Sequence, residues 1–131
     1  MIGQAAVARR LGNLPRSRAL LDAAAGHYRH IDLPAGPPRV LVGLAWWALA
    51  SERLHDAAIF AADAADGASA SGDPATQLLA ETAVAAVNAI ADPTSHHIEA
   101  FFALAQRRAH GPAYRSLTDE PDVAALAARL G

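Results

Sequence analysis

The sequence predicts an all-α fold: about three antiparallel helix pairs stacked side by side, closed by a C-terminal capping helix, in a single domain over residues 1–131. Three observations lead there. Hydrophobic residues make up 53% of the chain but aromatics only 5%, and alanine accounts for about a quarter of it, well above ordinary usage. Alanine has the best helix propensity and lets backbones approach closely, while β-branched residues are too few to build strands. Proline, glycine and capping residues cut the chain into helix-length pieces. Finally, the small residues recur about forty positions apart.

Each element has a local cause. A first short helix runs over about Ile2–Leu11 and closes at Gly12. Asn13 can cap the second, with Pro15 in its first turn, where a missing N–H costs little. That helix reaches about His30. The stretch Asp32–Arg39, DLPAGPPR, reads as a loop. The third helix spans about Pro38–Ser51 and the fourth about Leu54–Ala68. Ser69–Pro74, SASGDP, is the next loop, with Asp73 as N-cap and Pro74 as first helical residue. The fifth helix reaches Ala91. Asp92-Pro93 repeats the same start signal, and the sixth helix ends near His110, before Gly111-Pro112. Arg107–Asp122, with Tyr114, reads as a loop with local ion pairs. A capped final helix follows, with Val123, Leu126 and Leu130 on one face.

The forty-residue echo is specific. Leu11–Tyr28 aligns with Ser51–Ala68, so that Leu14 matches Leu54, Ser17 matches Ala57, Leu21 matches Ala61 and Ala24 matches Ala64. A further forty residues on, Leu44 and Ala45 map to Val84 and Ala85. A period of this size is the mark of stacked helix pairs. The stretch LVGLAWWALASERLHDAAIFAADAA resembles a tetratricopeptide (TPR) unit. Leu44 and Ala45 take the Leu-Gly pair of the first helix, Ala48 the usual tyrosine, and Ala57 and Ala64 the small positions of the second. Glu52 stands where the inter-helix glycine is usual. The resemblance covers roughly residues 1–110 and is similar to the TPR-like arrays of actinobacterial transcriptional regulators of the SARP or LuxR/MalT-like type. The chain has no Walker A loop. The resemblance implies a non-catalytic domain that offers a groove to a protein segment or a small effector.

Trp46 and Trp47 cannot share an environment, because consecutive helical residues differ by about 100°. Val40, Leu44 and Trp47 form one stripe, expected to pack inside the stack. Trp46 lies with Val42, Leu49 and Ala50 on another face, which the resemblance implies is the groove. Packing of both indoles, one of them against the C-terminal segment, is the plainer reading. The expected partner-binding residues are Arg9, Arg10, Arg39, Val42, Trp46 and Leu49, with the arginines pairing to partner carboxylates. An alternative is a homodimer that covers the open side of the short first helix.

Other classes are disfavoured. The net charge of −2 gives no general attraction to nucleic acid. Lysine is absent and all fixed positive charge is arginine, a bias of GC-rich genomes. Ala6–Leu21 resembles a helix-turn-helix, but Arg18 falls where its second helix needs a buried aliphatic. Cysteine is absent, so disulfides and thiolate chemistry are excluded, compatible with the cytoplasm. No apolar signal region is visible, and Val40–Ala50 spans about half of the roughly 20 residues a bilayer needs. His96 and His97 point to different sides of a helix, and His96 with Glu99 reads as a surface pair rather than metal ligands. His27 and His30 share a face without a further ligand. Asp56, Asp63 and Asp66 read as a solvated face. No catalytic motif, metal or cofactor is expected.

Overall fold

The computed structural model describes residues 1–109 and 119–131. The expected end of the sixth helix at His110 and the loop around Gly111-Pro112, Tyr114 and Arg115 lie outside the described residues. Among those residues the chain is all-helical: α1 Ile2–Arg10, α2 Leu14–Tyr28, α3 Gly36–Ala50, α4 Leu54–Ser71, α5 Pro74–Ala91, α6 Ser95–Ala109 and α7 Glu120–Leu130. No helix of the described residues is long and apolar enough to cross a membrane.

Sequential helices pack in pairs, α1 on α2, α3 on α4 and α5 on α6. The first helix of each pair also touches the first helix of the next, so α1, α3 and α5 line up in one layer, and α7 packs against α5 and α6. Alanines make this closeness possible. Ala5 and Ala45, forty residues apart, are fully buried, and Ala85 nearly so. Ser17 and Ala57, Leu21 and Ala61, and Ala24 and Ala64 are buried at matching positions of α2 and α4. The buried Ser17 hydroxyl donates to the Ala5 carbonyl at 2.8 Å.

The first two turns are the same turn. At the end of α1, Asn13 N–H donates to Ala8 O at 2.9 Å and Gly12 N–H to Arg9 O at 3.1 Å. At the end of α3, Arg53 N–H donates to Ala48 O at 2.8 Å and Glu52 N–H to Leu49 O at 3.2 Å. Both are the paired closure that satisfies the last carbonyls of a helix through a left-handed residue. Gly12 has φ 80° and Glu52 φ 58°.

The third junction departs from the expectation. Asp92 is extended, with φ −142°, and α6 begins only at Ser95, not at Pro93. Thr94 N–H donates back to Asp92 O at 2.7 Å, and the Asp92 carboxylate faces His97 at 3.5 Å instead of capping. It is therefore His97, not His96 with Glu99, that finds a carboxylate. Likewise α4 does not stop at Ala68. Ser69 and Ser71 continue it, and it ends at Gly72, with φ 68°, a left-handed stop that glycine adopts without strain.

Candidate functional site

The face expected to be an open groove is covered by α7. Val123 and Leu126 of α7 are buried in the same core cluster as Val42, Trp46 and Phe101, with Leu130 packed at its edge. Trp46 is only 4% exposed. Beside it a cleft of about 190 Å³ is lined by Trp46, Leu49 and Ala50 of α3, Ile90 of α5, and Asp122, Leu126 and Arg129 of α7. Among the described residues the buried Trp46 indole N–H has no hydrogen-bond acceptor, which makes this a costly position for a polar atom.

Two ion pairs hold α7 in place. Arg9 of α1 grips Asp122 with both ends of its fork, Nε to Oδ1 at 2.9 Å and a terminal nitrogen to Oδ2 at 2.6 Å. The Arg9 and Asp122 side chains are 4% and 13% exposed. At the same N-terminal end of α7, Arg108 of α6 donates to both oxygens of the N-cap residue Asp119, one at 3.0 Å, with both side chains buried. Such a buried pair gains little net stability, because desolvation offsets attraction, but it fixes geometry tightly.

The expected site residues are thus divided. Val42 and Trp46 are buried beneath α7, and Leu49 is half-buried at the cleft. Arg9 already has its carboxylate, from within the chain. Arg10 is exposed. Arg39 is engaged at the start of α5, donating to Thr76 Oγ1 at 2.9 Å and to Asp73 Oδ2 at 3.2 Å. Asp73 also accepts from the Thr76 hydroxyl and N–H. The Thr76 hydroxyl first, and Arg39 after it, hold the Asp73 carboxyl below its ordinary pKa.

Both indoles pack, as the plainer reading has it, Trp46 with the C-terminal α7 and Trp47 against the neighbouring pair; Trp46 does not line an open groove. Trp47 is half-buried: its indole N–H donates to Leu14 O at 3.0 Å, and the Arg18 guanidinium lies 4.7 Å from its ring centre. Arg53 approaches the same ring at 5.6 Å. Arg18, which spoils the helix-turn-helix pattern, is stacked here and paired with Asp22 at 3.1 Å. Asp56 likewise pairs with Arg53 at 2.8 Å, while Asp63 and Asp66 are exposed.

Asp122, Leu126 and Arg129 complete the site and were not expected there. The apolar stripe of α7 is legible in the sequence, but no spacing links Asp122 to Arg9. Among the described residues no group of three His, Asp or Glu side chains is placed to hold a metal. Comparison with family models, curated proteins and solved structures finds no match for the chain.

Proposed function

We propose that the chain is a non-catalytic, TPR-like interaction or effector-sensing domain of a bacterial transcriptional regulator, which receives a helical segment on its α1–α3–α5 layer. One observation carries the reading: that layer already receives a helix in cis. α7 presents Asp122 to Arg9 and, four residues on, Leu126 to the cluster around Trp46. A bidentate arginine–carboxylate pair sets direction and register, and a large buried aromatic supplies the anchor. A partner helix with a carboxylate and a leucine at i and i+4 satisfies the same contacts. A small effector would take the cleft beside Trp46. The regulator assignment rests on the resemblance carried by Leu44, Ala45, Ala57 and Ala64.

A labelled peptide of the α7 sequence, Glu120–Leu130, tests this against the full chain carrying Asp122→Arg, which sets the cis helix against Arg9. The variant is expected to bind the peptide saturably, and the unaltered chain about tenfold more weakly or worse, because its own α7 competes at high effective concentration. A variant that keeps its helix content yet binds no peptide ends the reading. A second reading, assembly of two copies through α1, has the exposed Val7 and Leu11 in its favour and the exposed Arg10 and Arg16 against it. A mass that falls by half on dilution would support it.

A further inference from the structure

A different surface, independent of the α7 layer, is the outer side of α1. The forty-residue register places Gly3, Gln4 and Val7 of α1 and its C-cap Leu11 at the positions of Gly43, Leu44 and Trp47 of α3 and its C-cap Ser51. In α3 this is the side on which α2 docks. A Cβ added at Gly43 would lie 2.6 Å from Leu21 Cδ2, so the glycine is a seat for that leucine. Leu44 is buried beside it, and Trp47 bonds the Leu14 carbonyl. In α1 the equivalent side meets no helix among the described residues. A Cβ at Gly3 would find no atom within 4 Å, while Val7 is 46% and Leu11 79% exposed. The result is an open groove of about 380 Å³, continued to Asn13 and Arg16.

Charge identifies what fits it. Residues 1–21 contain four arginines and no carboxylate. Arg9 is held by Asp122 and Arg18 by Asp22. Arg10 and Arg16 are exposed and form no ion pair among the described residues. Two copies joined through this side would set arginine against arginine, which opposes association. A helix bearing carboxylates would be attracted instead.

We infer that the outer side of α1 docks an acidic amphipathic helix of another protein, which seats a leucine over Gly3 as Leu21 is seated over Gly43. The recognition is helix-in-groove packing, with the notch giving register and Arg10 and Arg16 giving charge selection.

The probe is a helix-stapled peptide with the α2 sequence, Leu14–Tyr28, carrying Arg16→Glu and Arg18→Glu. It has the shape of the natural occupant of the equivalent face and the opposite charge. Titrated into the isotope-labelled full chain, it is expected to shift the resonances of Gly3, Val7 and Leu11 saturably. Gly3→Leu starts from a Cβ in open space and fills the notch, so it is expected to leave the melting temperature undiminished and to weaken the peptide by about tenfold or more. Arg10→Glu with Arg16→Glu is expected to weaken it as well, with little dependence on salt remaining. The inference is overturned by an absence of saturable shifts, by undiminished binding to Gly3→Leu, or by shifts that map to Trp46, Trp47 or α7. It is also overturned if the chain self-associates and Gly3→Leu abolishes that, because a second copy then covers the face.

Discussion

The first two helix pairs share a backbone and differ in what they carry on it. Both turn through the same two hydrogen bonds, at Gly12 in one and Glu52 in the other. Both bury an alanine where the helices cross, Ala5 and Ala45. Yet Ala6 and Val7 of the first pair stand where the second has Trp46 and Trp47. The difference teaches a division of labour. Small residues and turn bonds set the spacing and repeat unchanged. Large residues at the free positions decide what each face meets: Trp46 meets α7, Trp47 meets α2, and the corresponding side of α1 stands open.

The largest test of that division makes the second pair like the first. Trp46→Ala is expected to cost about 3–5 kcal/mol of stability, the range for a buried aromatic that leaves a cavity. Trp47→Ala should cost clearly less, because its ring is only partly buried and gives up one hydrogen bond worth about 1 kcal/mol. Urea denaturation of the two variants measures both. Equal losses, or the reverse order, would break the assignment of Trp46 to the core.

A matched pair of glycines sharpens the comparison further. Gly3→Ala and Gly43→Ala make the same chemical change at positions forty apart, Gly3 in the first turn of α1 and Gly43 in the interior of α3, where the propensity gain is the larger. The contact works the other way. The new methyl at position 43 enters the space of Leu21, whereas at position 3 it enters solvent. The second variant is expected to be less stable than the first by about 1–3 kcal/mol, the usual cost of overpacking. A difference near zero in paired denaturation curves would mean that Leu21 yields freely, and that the seat on α1 has no real counterpart.

Much of this architecture is legible in the residues, and the reasons for the rest are physical. Asn13 with Pro15, and Asp73 with Pro74, mark helix starts because capping chemistry is local. Ser17, Leu21 and Ala24 announce Ala57, Ala61 and Ala64 because stacking repeats a spacing. Asp92-Pro93 misled, because a start signal does not say whether the side chain will turn to its helix or to His97. The site was read only in part. Periodicity separated the faces of Trp46 and Trp47 but not their depth, since depth depends on where α7 lies. Arg9 and Asp122 are 113 positions apart, and no local rule joins them. Arg39 was expected to await a partner, but it had one thirty-four residues on, in Asp73.

The turns offer a smaller test in opposite directions. Gly12→Ala should destabilise the chain and Glu52→Gly should stabilise it, each by about 1 kcal/mol, the cost of a side chain in the left-handed region. Thermal melts of the two variants check the signs. If Glu52→Gly gave nothing, the strain assigned to φ 58° would be absent, and the second turn would be held by something the first lacks.

The finest difference lies between two helix starts, and pH separates them. Asn13 accepts the Arg16 N–H at 3.3 Å and Asp73 accepts the Thr76 N–H at 3.3 Å, so the caps are alike in geometry. Only Asp73 is ionisable. The Thr76 hydroxyl and Arg39 lower its pKa. A carboxylate whose folded pKa is lowered contributes stability that is present above the ordinary value of about 3.9 and is lost as pH falls through the folded value. The side chain is 38% exposed, so solvent screening keeps that contribution below about 1 kcal/mol. Asp73→Asn keeps the capping acceptor and removes the charge. The unaltered chain should therefore exceed this variant in stability at neutral pH, and the gap should close as pH is lowered below about 4. Asn13→Ala, by contrast, should cost about 1 kcal/mol at either pH. A gap for Asp73→Asn that does not change with pH would mean that the charge on Asp73 is not what holds Arg39, and that the two starts differ in residue name alone.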